Sequence, residues 1–142
     1  MSSIMKHLRI ITDGKFAAGE KEQATFPTII AEGLYSEEDV LGAVYLCWYK
    51  ELVEEPHFPA DDRIAAARAL TAVAELILRG KESLKITDSF DLGIDLCYGF
   101  GSISPTAFLI IKDKKDYYCE ILENVTRRIK AAGVFKTEQP ST

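Results

Sequence analysis

From Phe90 to Phe100 every second residue is large and apolar: Phe90, Leu92, Ile94, Leu96, Tyr98 and Phe100. Asp91, Gly93, Asp95, Cys97 and Gly99 lie between them. An alternation of this length is the pattern of a β-strand with one face in a core and the other wet, and the glycines would mark a bulge or bend. Such a strand needs neighbours. Ser102 to Pro105 supplies a turn, and Ala107 to Ile111, apolar on both sides, reads as an interior partner strand. Nearer the start, Lys6 to Thr12 alternates loosely before the turn residues Asp13-Gly14 and reads as a first strand. Phe26 to Ile30, around Pro27, is a second strand or an irregular crossing.

Three helices surround these segments. Ser36 followed by Glu37, Glu38 and Asp39 is a helix start, with a hydroxyl cap and acids placed to complement the helix dipole. The first helix should run from about Glu37 to Glu55 and stop at Pro56 and Pro59, because proline lacks the amide donor. Asp61 and Asp62 start a second, alanine-rich helix that ends at Arg79, with Gly80 placed for a left-handed cap. This helix is apolar on most sides. Its narrow polar strip holds Arg68, Thr71, Glu75 and Arg79, including a Glu75–Arg79 pair at the favourable spacing of four, so it should be the central helix. A third helix, Lys115 to Ala132, puts Tyr118, Ile121, Leu122, Val125 and Ile129 on one arc and closes at Gly133.

The predicted fold class is therefore α+β: three main helices packed on a small, mostly antiparallel sheet of about three to four strands. One domain over residues 1–135 is expected, with a polar tail at 136–142. At 142 residues, 47% of them hydrophobic, the chain is long enough to bury one continuous core.

Charge narrows the partners. The net charge of −5 argues against sequence-independent binding to nucleic acid, which needs a basic face. Between Glu32 and Asp62 there are nine acids and the single base Lys50, so the acidity is concentrated around the first helix. No apolar run approaches the roughly 20 residues of a membrane span, and the start of the chain lacks a signal-peptide pattern. Cys47, Cys97 and Cys119 are odd in number and sit in apolar runs, which reads as free thiols in a reducing, cytoplasmic setting.

Chemistry-bearing clusters are sparse. His7 and His57 lie apart from each other and from the cysteines, so nothing resembles a zinc site. The apolar neighbours of the three cysteines should raise their thiol pKa values and disfavour a nucleophilic role. Asp88, Asp91 and Asp95 form the one carboxylate cluster. On a strand, however, Asp91 and Asp95 would stand about 13 Å apart, too far for one ion. The run GFGSISP (residues 99–105) has glycines and hydroxyls but no phosphate-loop lysine, and reads as a turn between strands. The pairs Lys114-Lys115 and Arg127-Arg128 read as solvated surface. No metal and no cofactor are implied.

The first helix is the most informative element. Leu41, Val44, Tyr45, Trp48 and Leu52 form its core stripe, while Leu46, Tyr49 and Val53 gather on the opposite arc among acids. A helix apolar on two sides is sandwiched or offers one stripe to a partner. The favoured function is thus a non-catalytic protein-binding domain, most specifically an acidic inhibitor or immunity-type protein docking on a basic toxin or nuclease. Its candidate contacts are Glu38, Asp39, Leu46, Tyr49, Val53, Glu54 and Glu55. One alternative is a structural homo-oligomeric subunit, such as a homodimer. The other is a ligand-binding or enzymatic domain built from scattered residues such as His57, Asp91, Asp95 and Cys97, weakened by the shortage of convergent titratable groups.

Overall fold

The computed structural model describes residues 37–80, 85–132 and 135, and its architecture over them is helical throughout. The elements are α1 (Glu37–Glu54), a 3-10 turn (Ala60–Asp62), α2 (Arg63–Arg79), α3 (Ile86–Gly99), α4 (Pro105–Asp113) and α5 (Lys115–Ala132). The expected α+β class is corrected: no sheet occurs among the described residues, and both central strand assignments fall on helices. Lys6–Thr12 and Phe26–Ile30 lie outside the described residues.

The error over Phe90–Phe100 has a definite physical origin. A period of two contains two interleaved series of period four, and each series is a stripe along a helix. In α3 the series Phe90, Ile94 turns inward, and both residues are fully buried. The series Leu92, Leu96, Phe100 lies on another side and stays exposed, at 54%, 48% and 81%. The six apolar residues therefore do not share a face. Gly93 marks a close contact rather than a bulge: a Cβ there would stand 2.3 Å from Val73 Cγ2 of α2.

The turn GFGSISP is helix punctuation on both sides. Gly101 adopts φ 77°, Ser102 N–H donates to the Cys97 carbonyl and Gly101 N–H to that of Tyr98, which is the paired pattern of a Schellman stop. Three residues on, Ser104 caps α4 by accepting from Ala107 N–H at 3.2 Å, with Pro105 at the first helical position. Ala107 and Ile111, expected on a strand, are instead one turn apart on the buried side of α4.

The three expected helices are present. The first ends at Glu54, ahead of Pro56, and the third spans Lys115–Ala132 as its periodicity indicates. The second opens after Asp62 and closes at Gly80, which is extended (φ −82°, ψ 170°) rather than left-handed. Asp62 does not cap its own helix. Its carboxylate accepts instead from Ser104 Oγ at 2.6 Å, tying the start of α2 to the start of α4.

α2 packs against α1, α3 and α5 and is the central helix. Ala66, Ala67 and Ala74 on it are fully buried, so neighbouring helices approach with no more than a methyl group between them. Glu75 and Arg79 pair at 2.8 Å as their spacing requires, and Arg79 also reaches Glu37 at 3.0 Å, joining the start of α1 to the end of α2. The core is continuous through Trp48, Leu52, Leu70, Leu78, Phe90, Ile94, Ile111, Tyr118 and Leu122.

The contact of Gly93 on Val73 should be sensitive to a single methyl group. Gly93→Ala is expected to lower stability by about 1–3 kcal/mol through overpacking, despite the better helix propensity of alanine. Adding Val73→Ala should recover part of that loss in a double-mutant denaturation cycle. Additive losses in the two single variants would show that the contact is not tight.

Candidate functional site

α1 carries the residues expected to meet a partner, and the helix sorts them into two groups. Glu38, Asp39, Leu46, Tyr49 and Val53 fall within one stripe, since steps of three, four and seven residues return to the same side of a helix. Glu38 and Asp39 are exposed, Val53 is 44% exposed, and Leu46 and Tyr49 are half-buried. Tyr49 packs at the edge of the core and stacks on Tyr45 with centroids 6.3 Å apart. Glu54 stands exposed at the border of the stripe, paired with Lys50 at 3.1 Å. The helix holds five carboxylates against one lysine.

Glu55 separates from this group. It follows the last turn of α1 and is buried, accepting from Tyr118 Oη at 2.7 Å and from Lys114 Nζ at 2.7 Å. Glu51, one turn earlier, is also buried and accepts a hydrogen bond from Tyr117 Oη. Two buried carboxylates on the core side of α1 are thus held by two consecutive tyrosines at the start of α5. Together with Glu54, Pro56 and Lys114 they border a cleft of about 380 Å³.

A buried carboxylate is costly unless its oxygens are hydrogen-bonded, and these tyrosines and Lys114 meet that cost. The Tyr118 phenol is driven far above its ordinary range, first by burial and then by the adjoining Glu55 carboxylate. The Lys114 ammonium is raised by its hydrogen bond to Glu55. Sequence reasoning placed Glu55 on an acidic rim because it counted charge along the chain. Its position just past the helix end, where the chain bends at Pro56, sends it inward. His57 follows with φ 65°, a left-handed conformation in the same reversal.

The aspartates of α3 come together rather than apart. Asp91 and Asp95 lie one turn apart, and Lys112 Nζ of α4 sits between them at 2.9 and 3.2 Å. Lys115 Nζ completes the clasp on Asp91 at 2.7 Å. These two lysines hold the Asp91 carboxyl below its ordinary range, Lys115 contributing most. Lys114-Lys115 is accordingly structural rather than merely solvated. Among the remaining groups, Cys97 and Cys119 are free thiols whose pKa values are pushed up by burial, as their apolar neighbours suggested.

A second feature escaped the sequence reading altogether. Between α2 and α3 runs an apolar groove of about 580 Å³, with Ala69, Ala72 and Leu76 on one wall and Leu92, Leu96 and Phe100 on the other. A helical wheel over residues 86–100 places those three apolar residues on one side; the strand assignment put them in the core.

Comparison of the chain with protein-family models, with curated proteins and with solved structures found no significant match.

Two titrations follow from this geometry. In the native protein Tyr118 should stay protonated through the alkaline range in which exposed tyrosines ionise, near pH 10. The phenolate absorbance of Tyr118→Phe should thus match that of the native wild type and fall one tyrosine short only after unfolding. Equal native and unfolded amplitudes in the wild type would contradict the buried pair. On the acid side the folded pKa of Asp91 is depressed, so its contribution is present above the unfolded value of about 4 and is lost as pH falls through the folded one. The difference in thermal midpoint between wild type and Asp91→Asn should be largest near neutrality and shrink below about pH 4. A difference independent of pH would mean that the clasp contributes nothing through charge.

Proposed function

We propose that the chain is a non-catalytic protein-binding domain of the acidic inhibitor type, acting in a reducing cytoplasm and docking the outer stripe of α1 on a basic partner protein. An immunity-type role against a basic toxin or nuclease is the specific form this takes. The observation that supports it is the composition of that stripe: Val53, Leu46 and Tyr49 in line, with Glu38, Asp39 and Glu54 exposed around them.

An apolar centre inside a charged border is how protein interfaces combine a desolvated contact with electrostatic steering. The burial of Glu51 and Glu55 rigidifies the end of α1 beneath the stripe, which lowers the ordering cost of docking. No helix among the described residues is long and apolar enough to cross a membrane.

The test is capture by the tagged chain from native lysate at low and high salt, repeated with Glu38→Lys and with Val53→Asp. We expect a basic protein that is retained at low salt and released at high salt. With the purified partner, Glu38→Lys should slow association, and Val53→Asp should weaken binding about tenfold or more. Retention indifferent to both substitutions would overturn the assignment of this face. A native homodimer dissociated by Val53→Asp would replace it with the homo-oligomeric subunit.

A further inference from the structure

The groove between α2 and α3 has polar groups at both ends of an apolar trough. The two helices run antiparallel, because Ser104, just beyond α3, bonds Asp62 at the start of α2, while Gly93 faces Val73 midway and closes the floor. This register sets Ser89 level with the Ile77 turn, roughly 13 Å along α2 from Arg68 at the helical rise per residue. Arg68 lines the groove near the Leu96–Phe100 end and is exposed, and among the described residues no carboxylate pairs with it. Ser89 lines the other end and is 3% exposed. Among the described residues its hydroxyl has no hydrogen-bond partner.

A buried hydroxyl without a partner is unfavourable, and an unpaired guanidinium beside an apolar trough is a ready carboxylate receptor. The volume, about 580 Å³, lies within the range of small-molecule sites. We propose that this groove binds a small amphipathic anion: an apolar chain with a carboxylate on Arg68 and a hydrogen-bonding oxygen at its far end on Ser89. Leu76, Leu92 and Leu96 cover the chain. The alanines at 69 and 72 leave room for it on the α2 wall, and the closed floor at Gly93 holds it along the helices.

The proposal is independent of docking at α1 and is tested on the full chain by titration calorimetry with three probes, decanoate, 10-hydroxydecanoate and decan-1-ol, and with octanoate as a shorter carboxylate for comparison. Wild type should bind the two carboxylates saturably with one-to-one stoichiometry, and affinity should rise with chain length from octanoate by up to about fourfold per added methylene. Arg68→Met should weaken decanoate about tenfold and leave decanol unchanged, since the charge-assisted bond is lost while the apolar stem remains. Ser89→Ala should abolish any preference for the hydroxylated probe without lowering the thermal midpoint. Ala72→Phe, at an exposed position on the groove wall, should fill the trough and remove binding of all three while the circular dichroism stays helical. Absence of saturable binding by wild type, or binding that survives Ala72→Phe, overturns the proposal. Equal losses of decanoate and decanol in Arg68→Met overturn the role of the guanidinium. A captured partner whose binding is blocked by Ala72→Phe, with no binding of the probes, would assign the groove to a protein helix instead.

Discussion

The close approach of α3 to α2 at Gly93 is the contact on which the arrangement turns. With no side chain at that position, Val73 fills the space a Cβ would take, and α3 lies directly on the α2 backbone side. Small residues recur on a neighbouring face of α2, where Ala67 and Ala74 are fully buried. Between its alanines, α2 contributes Leu70, Ile77 and Leu78 to the core. It lets larger residues from its neighbours converge: Trp48 and Leu52 from α1, Phe90 and Ile94 from α3, Tyr118 and Leu122 from α5. The core is thus made by helices surrounding α2, with packing distance set by alanine and glycine.

Polar interactions are placed where this packing leaves helix ends. Glu51 and Glu55 meet Tyr117 and Tyr118 where α1 ends and α5 begins, and Lys112 and Lys115 clasp Asp91 near the junction of α4 and α5. Charge-assisted hydrogen bonds at such junctions fix angles that apolar contacts leave loose. Trp48, packed on Tyr118 at 5.9 Å between centroids, belongs to the same junction. Among the described residues, two surfaces combine exposed apolar and charged side chains: the outer stripe of α1 and the trough between α2 and α3. Their chemistry differs, carboxylate-framed in one case and guanidinium-capped in the other.

Much of this was legible in the chain. Prolines at 56 and 59, the acids before α2, Gly80 and the arc of α5 located three helices, and the i, i+4 pair Glu75–Arg79 formed as its spacing dictated. The strand at Phe90–Phe100 was misread because alternation tests only whether apolar residues recur at even intervals. Residues four apart satisfy a helix equally well, and the decisive clues were the helix signals around it. Gly101 as a left-handed stop and Ser104-Pro105 as a cap and first turn are both present in GFGSISP, whose glycines and hydroxyls equally suit a turn between strands. At the α1 surface, Glu38, Asp39, Leu46, Tyr49 and Val53 lie along one side of the helix, where steps of three, four and seven residues place them. Glu55 does not, and a count of charge along the chain carries no information about which way the backbone turns after a proline. Ser89 and Arg68 could not be linked at all before α3 was known to be a helix antiparallel to α2.

The hydroxyl of Ser104 works in two directions. It accepts from the amide of Ala107 at the start of α4 and donates to the carboxylate of Asp62 across the molecule. Each bond orients the oxygen for the other, so the first turn of α4 is capped best when α2 is already in place. The helix boundary is then a joint property of two elements 42 residues apart in the chain. Helix initiation, usually a local matter, has here become part of the cooperativity of the whole bundle.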